Sequence, residues 1–225
     1  LRVAEIAGAT TIDIVGPSSG AVVRRFVVDL PLIAAGWPRD LSVSGDGAVA
    51  AIQSGRLIDA TDTDSCCWNH LTFIDLRSGE ALPGTQLLKM RTGTVIDLGD
   101  DGAAAYLQHP VTGDLIAVDT RTGEVRTSAA RAFLDYTGSE APYRAGVTVV
   151  DGDQVAIGIG DRIDILDRAT LAIRLTIPLG EGQEARSLAA GGTGGVLVGL
   201  PGQLIRVRIG TGAVVRRRPL RQRGA

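Results

Sequence analysis

Several ingredients are scarce in this chain. Lys89 is the only lysine among 23 basic residues, which reads as genomic base composition, and the formal net charge of −2 gives no general pull toward nucleic acid or an anionic membrane. Cysteine is limited to the adjacent Cys66 and Cys67, which make no disulfide framework and leave the redox compartment open. There are two histidines, His70 and His109, and neither a phosphate loop of the G-x-x-x-x-G-K type nor a clustered Ser/His/Asp pattern. No apolar run reaches the roughly 18 residues that a membrane-spanning helix needs. The sequence starts at Leu1 without a signal peptide, and is read as a processed or excised piece.

Glycine is plentiful, with 30 in 225 residues, and it falls at regular places. Short polar turns recur at Pro17-Ser18-Ser19-Gly20, Leu76-Arg77-Ser78-Gly79, Thr120-Arg121-Thr122-Gly123, Arg168-Ala169-Thr170-Leu171 and Ile209-Gly210-Thr211-Gly212. Measured between the last residues of these turns, the spacings are 59, 44, 48 and 41. Each turn lies between short apolar segments of strand character, and a period in the forties built from such strands is that of a propeller blade. The clearest repeat reads 187–190, 195–200, 203–209 and 213–217, four strands joined by tight hairpins. The expected fold is therefore an all-β propeller of four-stranded antiparallel blades, one domain over 1–225. Its repeats fall near 1–29, 38–90, 91–130, 145–178 and 185–220, the first lacking its innermost strand. Four full repeats and a partial one leave open whether five blades close or the chain is part of a larger ring. The spacing of 59 comes from an insertion over 54–69, expected to be a loop. Leu171 stands where the other turns carry glycine, so that hairpin is expected to use another geometry.

A four-stranded meander alternates its connections between the two faces of the disc. First-to-second and third-to-fourth turns share one face; second-to-third loops and links between blades share the other. The short glycine turns fall on the first face and the long segments 29–39, 54–69, 109–113, 130–146 and 178–186 on the second. That second face also collects Trp37, Trp68, His109, Tyr136 and Tyr143, with His70 at its border. Loops on a rigid scaffold carry binding residues, so these six are the expected ligand or partner site. The alternative is that the loops fold their own aromatics into small satellite cores.

Leu41-Ser42-Val43-Ser44-Gly45-Asp46-Gly47, following Trp37-Pro38-Arg39, resembles the opening of repeats in bacterial YVTN-type and WD-repeat-like propellers. Ile74-Asp75-Leu76-Arg77-Ser78-Gly79-Glu80 and Val118-Asp119-Thr120-Arg121-Thr122-Gly123-Glu124 resemble the outer hairpin of the same superfamily. The resemblance implies a bacterial, extracytoplasmic scaffold that binds a protein, a glycan or a small molecule without catalysis. The alternative it admits is a lactonase-like hydrolase with a metal and carboxylates in the central channel. Propellers that bind pyrroloquinoline quinone carry a tryptophan after the T-G-E turn; residues 125–129 and 82–88 have none, which speaks against a quinone cofactor.

Three further features bear on chemistry. Asp59, Asp62 and Asp64 offer oxygen ligands on one loop, a candidate calcium site, against the plainer reading of a solvated acidic loop. Cys66, Cys67 and His70 are soft ligands at a spacing unlike that of structural zinc sites, and a thiol pair or local disulfide is the competing reading. Asp75, Asp119 and Asp167, at the start of the repeated turns, are expected to cap turn amides. The arginine-rich end (Arg216, Arg217, Arg218, Arg221, Arg223) reads either as a solvated end strand or as a site for an acidic partner or phosphate.

Overall fold

Every strand among the described residues pairs with at least one neighbour in sequence. The computed structural model describes residues 2–6, 9–16, 18–28, 38–57, 66–88, 96–108, 115–128 and 144–219. Blade 1 is a three-stranded sheet of β1 (Arg2–Ile6), β2 (Ala9–Val15) and β3 (Val22–Val28). Blade 2 contains β4 (Pro38–Val43), β5 (Val49–Leu57), β6 (Cys66–Asp75) and β7 (Gln86–Leu88). Blade 3 contains β8 (Ile96–Leu98), β9 (Ala104–Gln108), β10 (Leu115–Asp119) and β11 (Val125–Thr127). Blade 4 contains β12 (Arg144–Val150), β13 (Gln154–Ile159), β14 (Arg162–Asp167) and β15 (Ile173–Pro178). Blade 5 contains β16 (Ser187–Ala190), β17 (Gly195–Leu200), β18 (Gln203–Arg208) and β19 (Val214–Pro219). All pairings are antiparallel meanders, and the described residues contain no helix. The sheets are arranged as a β-propeller.

The core lies between sheets. Each of four apolar clusters joins two successive blades: Phe26 with Ile52 and Ile74, Phe73 with Leu107 and Ile116, Tyr106 with Ile157 and Leu166, and Ile165 with Val198 and Ile205. Because strand side chains alternate, β9 gives Ala105 and Leu107 to the blade 2 junction and Ala104 and Tyr106 to the blade 4 junction. A strand buried on both faces reads as a continuous apolar run, and β9 is buried at every position. Each large side chain so buried contributes on the order of 1.5–3 kcal/mol. The ends differ: β3 buries only Phe26 and Val28, and β19 is exposed throughout.

Two expectations need correction. The segment 54–69 is not simply a loop, because β5 continues to Leu57 and β6 begins at Cys66, with Ser54 opposite His70 and Arg56 opposite Trp68. Backbone pairing carries the hairpin past the apolar stretch that marked the strands in the sequence. The turn at Leu171 also keeps the common geometry: Leu171 N–H donates to the Asp167 carbonyl (2.8 Å), as Gly79 does to Asp75 and Gly123 to Asp119. Leu171 takes a φ of 58° at a cost of about 1–2 kcal/mol. Its side chain is buried in the junction with blade 3, which offsets that cost.

Candidate functional site

Backbone hydrogen bonds sort the connections onto two faces. On one, the Asp46 N–H donates to the Asp100 carbonyl (3.0 Å), joining the first turns of blades 2 and 3, and the Gly194 N–H donates to Asp151 Oδ2 (2.5 Å), joining those of blades 4 and 5. On the other, the link after blade 4 lies against the second-to-third turn of that blade: Leu179 N–H donates to the Asp161 carbonyl and Ala185 N–H to the Gly160 carbonyl, both at 2.8 Å. Gln203 Nε2 also donates to Gln183 Oε1 (2.9 Å). The short turns of blades 2 to 5 and the link 179–185 follow the expected sorting, whereas most of the other long segments lie outside the described residues. The second-to-third connections are long in blades 2 and 3 and tight in blades 4 and 5, at Gly160–Asp161 and Pro201–Gly202.

The short-turn face holds a cavity of about 460 Å³ between blades 3 and 4, lined by Tyr106, Asp119, Arg126, Asp153, Arg168 and Arg174 among others. Arg168 is the centre of this seam. Its Nε donates to Tyr106 Oη (2.7 Å), one terminal nitrogen to the Gly152 carbonyl (2.9 Å) and the other to Asp101 Oδ1 (2.6 Å). Arg174 donates to Asp153 (2.8 Å) and to Asp167, and Arg126 donates to the Ala169 carbonyl. Each cation is therefore matched to an acceptor.

The titrating groups follow the same logic. The turn carboxylates cap amides as expected: Asp75 Oδ1 accepts from the amides of Arg77 and Ser78, Asp119 Oδ1 from Arg121 and Thr122, and Asp167 Oδ1 from Ala169 and Thr170. These bonds hold the pKa of Asp75 and Asp119 below the usual carboxylate value. They lower that of Asp167 to about 2, the Thr170 amide acting most strongly. At Asp101, burial opposes ionisation, but the Ala103 amide and Arg168 outweigh it and the pKa falls. Burial raises the Tyr106 phenol against the pull of Arg168. These shifts move away from neutrality, so of the groups lining the cavity Asp119, Asp167 and Tyr106 are not tuned to exchange a proton near pH 7.

Toward the centre of the disc, acids on the innermost strands are engaged between blades. Asp40 on β4 accepts from the Ile96 amide (2.8 Å), and Asp97 on β8 accepts from the Val149 amide (2.8 Å) and from Ser42 Oγ (3.0 Å). Sequence reasoning missed these links and Arg168 alike, because the partners on neighbouring blades stand 52 to 67 residues apart.

Of the residues expected to form the site, Trp68 and His70 are placed on β6, where His70 pairs with Ser54 and Leu87; their side chains lie outside the described residues. Trp37, His109, Tyr136 and Tyr143 lie outside the described residues, as do Asp59, Asp62 and Asp64 of the candidate calcium loop. Cys66 and Cys67 begin β6. Among the described residues, no three His, Cys, Asp or Glu side chains gather as metal ligands. No helix among them is long and apolar enough to cross a membrane.

No protein-family model matches the chain, and no curated protein matches it in sequence. Solved structures do resemble it in fold. Hydrazine synthase from Kuenenia stuttgartiensis superposes with a TM-score of 0.56 at 16% identity, over 81% of this chain and 49% of that one. BamB from Moraxella catarrhalis gives 0.55 at 15% identity over 98% and 61%, and the dihydro-heme d1 dehydrogenase NirN gives 0.58 at 15% over 93% and 41%. At these identities the likeness concerns the propeller fold alone. The chain spans about half the length of the propeller chains it matches.

Proposed function

We propose that this chain is a non-catalytic propeller scaffold that binds a protein, a glycan or a small molecule through its long-connection face. The observation that carries this reading is the sorting of connections. The short-turn face is tied together by bonds such as Asp46 to Asp100, Asp151 to Gly194 and Arg168 to Asp101, so its polar groups serve the fold. Blades 4 and 5 close the second-to-third connection with two residues, so the meander does not demand the longer ones that the sequence gives blades 2 and 3, and in this reading those lie on the opposite face. Trp37, Trp68, His70, His109, Tyr136 and Tyr143 belong to that face in this reading. The resemblance to bacterial YVTN-type propellers supports the same role and an extracytoplasmic location.

The test is to replace residues 58–65 by a two-residue turn and to compare intact and shortened proteins on a glycan array and in capture from extracytoplasmic extracts. The expected result is a binder retained by the intact protein, lost or at least about tenfold weaker with the shortened one, and an unchanged melting midpoint. Capture that survives the shortening would remove the binding role from this hairpin.

A second reading, an enzyme, is favoured by one observation: two of the three similar propellers described above, among many that match, are named as enzymes, a synthase and a dehydrogenase. Metal analysis separates the two. Stoichiometric calcium lost on Asp62→Asn with Asp64→Asn supports a metal site in the same hairpin and revives the hydrolase reading.

A further inference from the structure

The outermost face of blade 5 carries arginines where the inner blades carry apolar or acidic side chains. Arg208 donates its amide to the Ala213 carbonyl and its carbonyl accepts from Gly212; Asp75, Asp119 and Asp167 make the same two bonds, to residues five and four further on. Arg208 thus occupies the position that is aspartate in blades 2, 3 and 4. Two residues earlier, Arg206 stands where those blades bury Phe73, Ala117 and Ile165. Arg216 faces Arg206 directly across the strand pair, and Arg218 faces Leu204. Like charges directly opposite each other destabilise a sheet unless an acceptor lies between them.

No ion pair to Arg206, Arg208, Arg216 or Arg218 occurs among the described residues, whereas Arg25, Arg162, Arg168, Arg174 and Arg186 each have a carboxylate. Among the described residues, Arg206 reaches only the Thr193 carbonyl, at 3.4 Å, and its buried Nε meets no acceptor. A hollow of about 240 Å³ lies here, lined by Thr193, Gly194, Arg206, Arg208, Val215 and Arg216. It occupies the half of the seam that blade 3 offers to blade 4 with Asp119 and Arg126.

The position of Arg216 shows what kind of acceptor fits. Arg24 faces Ile14, and Arg126 faces Ala117, just as Arg216 faces Arg206. Arg24 donates to the carbonyls of Leu76 (3.4 Å) and Arg77 (2.6 Å), and Arg126 to that of Ala169, in each case on the outer turn of the abutting blade. In blade 4 the position is Leu175, which packs into the apolar junction instead. We propose that the face of blade 5 around Arg206, which no described residue covers, docks an acidic polypeptide through a β-turn, its backbone carbonyls seated on Arg216 and a carboxylate on Arg206 and Arg208. A turn supplies both acceptor types, and the charge reversal at Arg208 calls for the carboxylate. This surface is distinct from the long-connection face.

The probe is a cyclised hairpin peptide copying residues 71–82, the turn that meets Arg24, with Arg77→Asp. Titrated into the 225-residue protein, it binds with a Kd below about 1 mM, and raising salt from about 50 to 500 mM weakens it. The pair Arg206→Ala with Arg216→Ala weakens it at least about tenfold. Arg208→Asp, an exposed change that leaves the fold intact, does so alone. Absence of binding at that level, or equal binding to Arg208→Asp, overturns the proposal. So does displacement of the peptide by inorganic phosphate or a DNA duplex at equal concentration, which would make the face a phosphate site.

Discussion

Single residues set how closely the blades approach. Gly79, at a φ of 84°, closes the outer turn of blade 2, and a Cβ there would fall 2.1 Å from the Phe26 ring of blade 1. Gly20 ends the corresponding turn of blade 1 at a φ of 66°, and a Cβ there would meet nothing within 4 Å. The two glycines share a conformation and differ in surroundings, so substitution separates backbone strain from packing. Gly20→Ala is expected to cost about 1 kcal/mol, the price of alanine at positive φ. Gly79→Ala costs about 2 kcal/mol more, since Phe26 must leave its place. Urea unfolding of both variants checks this, and equal losses would show that the approach to Phe26 yields freely. The sequence marked both positions as turn glycines, because positive φ has a local signature. It did not distinguish them, because Phe26 lies about fifty residues from Gly79 in the chain.

At the scale of the element, the third-to-fourth hairpin is one unit built on a capping carboxylate. Asp75, Asp119 and Asp167 were legible as caps because the amides they accept lie two and three residues ahead. The hairpin at Leu171 was misjudged because its conformation is held by burial against blade 3, a tertiary term that local propensity does not contain. The caps also give the fold an acid limit. A carboxylate whose folded pKa is depressed stabilises the protein above its unfolded value and loses that contribution as pH falls through the folded one. For Asp167 the window runs from the ordinary value of 3.8 down to about 2, and Asp75 and Asp119 shift in the same direction. The urea midpoint is therefore expected to hold near neutrality and to fall steadily below about pH 4. In Asp167→Asn the decline over that window is shallower. A midpoint independent of pH down to 2 would show that the caps contribute nothing.

For the whole molecule, stability is a chain of junctions, each between one blade and the next. The order of the four-stranded meanders was readable from the turn period, which left the number of blades in the ring open. The junction chemistry was not readable. Arg168 looked like one more polar turn residue, yet it reaches Asp101 and Tyr106 across the seam of blades 3 and 4 while also holding Gly152 of its own blade. Removing it leaves the exposed Asp101 unpaired and the buried Tyr106 hydroxyl without its donor, at a cost of about 1–3 kcal/mol that comes mainly from Tyr106. Both tryptophans lie at or before blade 2, so their fluorescence reports one side of that seam while circular dichroism reports the whole protein. Arg168→Ala should lower both midpoints and separate them. Coincident midpoints would mean that the remaining apolar contacts keep the blades unfolding together.

That each sheet is assembled from consecutive strands has a consequence for biosynthesis. A blade can complete its own hydrogen bonding as soon as its fourth strand leaves the ribosome, yet the face meant for its successor stays bare until some forty more residues emerge. At about 5–20 residues per second that wait is roughly 2–8 s for each junction. The nascent protein therefore carries a sticky leading surface throughout translation, renewed with every blade, and the charged rims of the outer hairpins stand beside that surface while it waits.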